Sequence, residues 1–496
     1  MARDETRIPV IVGVGQINDR PADGAEGLDS LQLMHAALER ADEDAGGGWL
    51  GGLDSLSTVA QLSFPALGDC SKPLAELIGA SPRLCEQTRY PMGDSPVALL
   101  NDAANRIAAG EIASAAIAGG EALRTAAQRA AGENAVRASA ARAVQAARPG
   151  RERYGVVAPT DIYPLYENAC RAAWGQTLAQ AQAESAELWA GMSRVAAESD
   201  GAWLRKAVTP AEILAVSADN RPIAFPYTKL MVANSSVNQG AGFIVASLAK
   251  ARQMGARETQ LIYVGHGAAA REPGDVLARD RIDRSLSLET SLRAALARNR
   301  LTSADLDYAE LYSCFPCVPK MARRAIGWPL ENDITVFGGL TFGGGPVGNY
   351  MSHAIAAMTD SLRKRGRTGL LFGNGGFATT SHAIIVSRDP ALAINAPHDP
   401  SVQAEADAQR GPAPALLEDY EGPAAIETYT VFYARDGAAK NGVIVARTPS
   451  GARFLAYVPA DDASMIAFLT DGAREPVGAS GKAVRGSDGL IVWESA

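Results

Sequence analysis

What this sequence has little of narrows it first. Positive charge is not in excess: 47 Lys and Arg stand against 55 Asp and Glu, a formal net charge of -8 over 496 residues. That excludes the basic face of a general nucleic-acid binder. No apolar run approaches the ~20 residues that span a bilayer, so no membrane association is expected. Cysteines are few, scattered and odd in number (Cys70, Cys85, Cys170, Cys314, Cys317). A disulfide framework is therefore not expected, and the compartment reads as reducing. The charged start, Met1 to Arg7, has no secretory pattern, so a cytoplasmic protein is expected. The five histidines (His35, His266, His353, His382, His398) never fall at a ligand spacing. Cys314-x-x-Cys317 has no second pair, so no metal site is expected. Aromatics are only 6% beside 47% hydrophobic residues, which suits small-residue helices packed closely on a sheet. At ~150 residues per domain the length implies about three domains.

What is there is a strand–helix alternation that occurs twice. Pro9-Val-Ile-Val-Gly-Val-Gly15 is a short apolar run ending in glycines, as buried strands are. An amphipathic helix over Ser30 to Ala41 follows, then a strand at Leu53 to Ala60. Asp94-Ser95-Pro96 opens a helix to Ala109, with Asp94 or Ser95 as N-cap and Pro96 in the first turn. Ala113 to Gly120 closes the unit as a buried strand. The series returns ~250 residues later, an offset that fits two duplicated domains and not a solenoid. Gln260 to Gly267 repeats the first strand, and Arg293-Ala-Ala-Leu-Ala-Arg298 echoes His35-Ala-Ala-Leu-Glu-Arg40. Tyr308 to Tyr312 takes the place of the second strand. Gly345-Pro-Val-Gly348 leads into a helix, and Gly369 to Gly376 repeats the closing strand with its double glycine. The fold class expected is α/β, two layered domains. Residues 1–122 and 223–250 form the first, with Tyr227 to Lys250 returning to the sheet pattern, and 251–388 form the second. Residues 123–222 are an insert with Trp174, Trp189 and Trp203 as packing anchors. Residues 389–423, rich in Pro, Ala and acid, read as a linker. Residues 424–496 alternate as a small β-barrel.

Together these features resemble the thiolase superfamily over about residues 8 to 388. The stretches that carry the resemblance are Asn105-Arg-Ile-Ala-Ala-Gly110 with Ile117-Ala-Gly-Gly120, Asn234 to Gly242, Ala309-Glu-Leu-Tyr-Ser-Cys-Phe315, Gly338-Gly339 to Gly348, and Gly375-Gly376. The β tail is similar to the extra domain of thiolase-like proteins of type 1 and to the OB-fold modules that accompany sterol-carrier-type thiolases. The resemblance implies a five-layered αβαβα core, an inserted loop domain and a C-terminal OB-like barrel. In the family a cysteine at a helix start takes the acyl group. Here its position falls on Gly93. The base of the Gly-His-Pro motif falls within Gly344-Gly345-Pro346, the Cys-x-Gly motif falls on Gly373-Asn374-Gly375, and the oxyanion asparagine falls on Tyr312. Sterol-carrier-type thiolases write that last motif His-Asp-Cys-Phe, of which Cys314-Phe315 is retained. Losing the nucleophile of a catalytic unit costs ~10⁴–10⁶ in rate, which puts ordinary acyl transfer in doubt.

The candidate catalytic residues are therefore Cys314 as a residual acid/base, Tyr312 and Tyr350 as hydrogen-bond or proton donors, and His353 one turn into its helix. Cys317 reads as structural, Ser95 as a cap and His266 as a satisfied strand-end residue. Gly13-Val-Gly15 lacks the third glycine of a dinucleotide fingerprint, so no such cofactor is expected. Arg124, Arg129, Arg137, Arg142, Arg148, Arg151 and Arg153 lie in the insert that holds the CoA nucleotide in the family. The ligand implied is CoA or acyl-CoA, with no separate cofactor. Three functions follow: a divergent acyl-CoA-binding acyltransferase, an aldolase-type lyase on a 3-hydroxyacyl-CoA, or a non-catalytic scaffold. A homodimer is expected from the family, or a monomer where the C-terminal domain blocks the interface.

Overall fold

The structure, a computed structural model, describes residues 4–130 and 149–495. Arg137, Arg142 and Arg148 lie outside the described residues. The strands are β1 (Pro9–Asn18), β2 (Ser55–Thr58), β3 (Leu84–Gln87), β4 (Ser114–Ala122), β5 (Pro222–Ala224), β6 (Tyr227–Thr228), β7 (Asn238–Ser247), β8 (Ile262–Arg271), β9 (Tyr308–Leu311), β10 (Thr368–Gly375) and β11 (Thr380–Ser387). Those of the tail are β12 (Gly422–Tyr433), β13 (Ala439–Arg447), β14 (Arg453–Pro459), β15 (Ser480–Arg485) and β16 (Ile491–Ser495). The main helices are α1 (Ser30–Asp44), α2 (Ser95–Ala109), α3 (Pro159–Ala173), α4 (Leu178–Glu198), α5 (Leu286–Arg298), α6 (Cys317–Ile326), α7 (Tyr350–Lys364) and α8 (Ala463–Thr470).

The duplication is plain in the sheet order, β3-β2-β4-β7-β1-β8-β11-β10-β9. Read outward from the β1–β8 join, the two halves run β1, β7, β4, β2, β3 and β8, β11, β10, β9. The join is short, pairing Val10 with Tyr263 and Ile11 with Ile262. Both α2 and α7 pack against strands of both halves, so they form the middle layer, while α1 and α5 cover the outer faces. This is the five-layered αβαβα thiolase arrangement. Small residues set its spacing: a Cβ on Gly15 would collide with the Ala37 carbonyl of α1, so glycine is what lets that helix lie against the strand.

The tail closes on itself, β13-β14-β16-β15-β12 with β12 paired back to β13, a five-stranded barrel over a core that includes Ile426, Tyr429, Val431, Phe454 and Trp493. Three expectations need correction. Tyr227 does not return to the main sheet: β5 and β6 pair with each other and extend the barrel sheet beside β12, and the main sheet resumes only at Asn238. Residues 389–423 do not run free, because their backbone bonds to the second half through Ile394 to Val264 and through Pro400 and Val402 to Ala269. Asp94 precedes α2 but its side chain does not cap it; it accepts instead from Thr380 Oγ1 at 2.7 Å. Trp189 and Trp203 are buried as expected, and Trp174 is half-buried with Arg324 stacked on it. Among the described residues no helix is long and apolar enough to cross a membrane, and no cluster of metal-ligating side chains forms.

Candidate active site

The end of β9, the start of α2, the end of β10 and the glycine-rich segment before α7 meet at one place. Gly93 is there because of space, not backbone angle: a Cβ at this position would fall under 3.0 Å from both the Tyr312 hydroxyl and the Asn374 carbonyl. The volume that a cysteine at Gly93 would need is held by the phenol of Tyr312. Of the two other positions at which the family motifs place catalytic side chains, Gly373 is closed in the same way and Gly345 is tight. A Cβ on Gly373 would sit 2.7 Å from Asp94 Cα, and one on Gly345 3.1 Å from the Asn234 carbonyl.

Around Tyr312 stand four groups. Cys314, two residues on, is buried, and burial pushes its thiol up to about 12, so it stays protonated near neutral pH. Tyr163 on α3 stacks on Phe315 with ring centres 4.5 Å apart. Its hydroxyl donates to the Gly376 carbonyl at 2.9 Å, accepts from the Ala378 N–H at 3.0 Å, and lies 3.3 Å from Asn374 Oδ1. Asp94 is the charged neighbour. Burial raises its carboxyl above the usual range, with Thr380 pulling the other way, and its charge helps to raise the Tyr312 phenol, whose main cause is also burial. Tyr350 lies edge-on to Tyr312 at 5.9 Å.

The structure separates the remaining candidates by depth. Tyr350 is fully buried, and its hydroxyl is turned away to donate to Glu310 Oε1 at 2.7 Å. Glu310 also accepts from Thr335 Oγ1 at 2.8 Å and the Val336 N–H at 2.9 Å, and burial holds its carboxyl up to about 7. His353 is not brought to Tyr312. Phe337 stands between it and Tyr350, its Nδ1 pairs with Gln16 Oε1 at 2.8 Å, and burial lowers it to about 3, so it is neutral. Cys317 is buried at the start of α6, where its N–H meets the Tyr227 hydroxyl at 3.4 Å. Ser95 opens α2 and is buried, and His266 is half-buried edge-on to His398. Of the insert arginines, Arg129 donates to the Ala25 and Gly27 carbonyls, Arg151 lies 3.6 Å from Asp275, and Arg153 donates to the Gly489 carbonyl. These three fasten the insert to its neighbours.

Sequence reasoning named Asp94 only as a cap and Asn374 and Glu310 only as letters within motifs, and it passed over Tyr163. The one local signal for Tyr163 is its three-residue spacing from Tyr166, which places two phenols on one face of α3.

A crystallised monomeric SCP2-thiolase-like protein type 1 from Mycobacterium smegmatis is 31% identical to this chain, with all of each chain covered and a TM-score of 0.84. The family model for the thiolase-like protein type 1 additional C-terminal domain matches residues 401–488, which begins inside the segment expected as a linker. More distant structures share the fold alone. The Ltp2-ChsH2(DUF35) aldolase is 16% identical over 78% of this chain and 99% of that one, with a TM-score of 0.58. Human mitochondrial 3-ketoacyl-CoA thiolase in complex with CoA is 12% identical over 78% and 99%, with a TM-score of 0.60. No curated protein matches the chain.

Proposed function

We propose, from the premise that this chain belongs to the SCP2-thiolase-like protein type 1 family, that it binds an acyl-CoA thioester and cleaves a carbon–carbon bond by proton transfer instead of passing the acyl group to a cysteine. The observation that carries this reading is the Tyr312 phenol lodged over Gly93, where an acylated thiol would need to be. Acyl transfer has no ionised nucleophile at this place, because Gly93 has no side chain and Cys314 keeps its proton. A neutral phenol and a carboxylate of raised pKa are instead a matched acid and base.

On a 3-hydroxyacyl-CoA the steps balance as follows. The Asp94 carboxylate takes the proton of the 3-hydroxyl as the bond between C2 and C3 breaks. The C3 fragment leaves as an aldehyde or ketone, and the bonding pair passes to the thioester as an enolate. The Tyr312 phenol then protonates C2, and Asp94 returns its proton to the phenolate. Tyr350 is a positioning residue here: its ring braces Tyr312 while Glu310 fixes its hydroxyl. In this reading the fused barrel stands in for the DUF35 partner of the Ltp2-ChsH2(DUF35) aldolase, whose fold this chain shares. The monomeric state given for the 31% identical relative supports a monomer.

The test is to incubate the protein with a medium-chain 3-hydroxyacyl-CoA and, separately, with a 3-oxoacyl-CoA plus CoA. Cleavage of the first, falling at least ~10²-fold in Tyr312→Phe, is expected. Thiolysis of the second, or turnover of neither, overturns the reading.

A further inference from the structure

The duplication extends to single bonds. In the first half the Asp54 carboxylate accepts from the N–H groups of Ala113 and Ser114, and in the second the Asp307 carboxylate accepts from those of Arg367 and Thr368. Just past β1 the Asp19 N–H donates to the Asn238 carbonyl, and just past β8 the Glu272 N–H donates to the Thr379 carbonyl. This register matches Val14, Gln16 and Asn18 of β1 with Gly267, Ala269 and Arg271 of β8. Both trios turn their backbone groups to the side left open where β1 and β8 part, since those strands pair only at Val10 and Ile11.

The two open edges are covered differently. Along β8 lies an extended segment of the same chain. The Gly267 N–H donates to His398 Nε2 at 3.2 Å, the Ala269 N–H donates to the Pro400 carbonyl at 2.8 Å, and the Ala269 carbonyl accepts from the Val402 N–H at 2.9 Å. The Gln403 amide takes both backbone groups of Arg271. Asn105 of α2 takes both backbone groups of His398, and Arg298 of α5 donates to the Asp399 and Ser401 carbonyls. Along this edge of β1 no such segment pairs among the described residues. Val14, Gln16 and Asn18 line a cavity of about 1020 Å³ instead. The counterparts of the two holding residues line it too: Arg40 of α1, matching Arg298, and Asp360, which stands in α7 where Asn105 stands in α2. Arg40 donates to the Gln16 carbonyl and Asp44 accepts from the Val14 N–H, so side chains do part of what a strand does on β8.

We propose that this cavity is a docking groove for an extended basic segment of a partner protein, which adds as a strand to the open edge of β1 as residues 398–403 add to β8. Backbone bonding to the edge supplies affinity and alternate side chains supply selectivity. Charge sets the selectivity: six acidic side chains line the cavity against two basic ones, Arg40 and Lys364. Where Asn105 offers a donor and an acceptor, Asp360 offers acceptors and a negative charge. The inference is independent of the lyase reading, because Gly93, Asp94, Tyr312 and Cys314 are not among the residues that line this cavity.

The probe is a fluorescein-labelled decapeptide of alternating valine and lysine, titrated with the full-length protein and read by fluorescence anisotropy. Saturable binding is expected, and a valine–glutamate decapeptide should bind at least ~10-fold more weakly. Glu198 and Glu331 are exposed at the rim, and Glu198→Lys with Glu331→Lys should weaken the valine–lysine peptide at least ~10-fold with an unchanged circular dichroism spectrum. Two N-methylated forms, one methylated on the valine nitrogens and one on the lysine nitrogens, separate strand addition from charge alone. Each edge of a strand carries alternate N–H groups, so one form should bind as the parent does and the other at least ~10-fold more weakly. Equal affinity of the two forms overturns strand addition, and undiminished binding by the charge-reversed variant overturns the groove as its place. A wild type that binds no valine–lysine peptide overturns the proposal entirely. The methylated pair is read on the wild type, so a variant that fails to fold does not rescue the claim.

Discussion

Gly93→Ala is the sharpest probe of the claim that Tyr312 occupies the place of a nucleophile. The backbone at Gly93 is not in the left-handed region, so alanine meets no conformational penalty of that kind and any cost comes from contact. The added Cβ would lie under 3.0 Å from two atoms of different mobility. One is the Tyr312 hydroxyl, at the tip of a side chain; the other is the Asn374 carbonyl, fixed by the pairing of Asn374 with Ser381 in the sheet. Overpacking of this sort costs about 1–3 kcal/mol. Removing the ring in Tyr312→Ala relieves the first contact and leaves the second, so the penalty of Gly93→Ala in that background is expected to shrink by about 1 kcal/mol without vanishing. Urea unfolding of the wild type, both single variants and the double variant, followed by tryptophan fluorescence, supplies the cycle. Additivity within ~0.5 kcal/mol would refute the packing argument, because it would mean the two residues do not compete for one space.

Other consequences are open to measurement. Lys320→Met should destabilise by about 3–5 kcal/mol, since among the described residues it leaves buried Glu167 with the Tyr227 hydroxyl as its side-chain partner; adding Glu167→Leu should restore much of the loss, as urea midpoints would report. His353 and His382 are held neutral by burial, at about 3 and about 4 against an ordinary 6.5. Their contribution to stability is complete above pH 6.5 and declines as the unfolded chain takes up protons below it. Each adds a slope of up to ~1.4 kcal/mol per pH unit, down to its own folded value. Unfolding followed from pH 7.5 to 4.5 should steepen below 6.5, and His353→Gln should flatten the curve. Tyr350→Phe should lower kcat by about tenfold and leave KM little changed, because it loosens Tyr312 without touching the ligand; a loss confined to KM would contradict its positioning role.

The duplicated framework was legible because it is written in local terms: apolar runs that end in glycine, helices at matching offsets, and turn residues between them. The tail barrel was legible for the same reason, through alternation and turns. What escaped notice depends on contacts between distant segments. β5 and β6 are three and two residues long, too short for any period to show, and they exist because β12 offers them an edge. Tyr350 reads as a phenol facing the cleft until Glu310, forty residues earlier, turns its hydroxyl away. His353 has helical spacing suited to a cleft, but Phe337 arrives from another loop to cover it. Cys314 matches its motif, and it is burial in the fold that makes it too dry to ionise. The glycines at 93 and 373 read as absences in the sequence, whereas in space each position is filled by a neighbour.

The barrel's borrowed strands bear on how the chain can be made and inherited. Phe432 pairs with Ala224 across about two hundred residues of chain. Thr428 and Thr430 donate to the Leu165 and Phe225 carbonyls, and Asn168 donates back to the Tyr429 carbonyl. During synthesis the segment around Ala224 leaves the ribosome long before its partner exists, so its edge stays open until the last domain arrives. A stop codon ahead of β12 would therefore expose the insert as well as delete the tail, and the tail expressed by itself would present β12 with an unpaired edge. The C-terminal domain is in this sense not a cassette: a stretch from the middle of the chain completes its sheet.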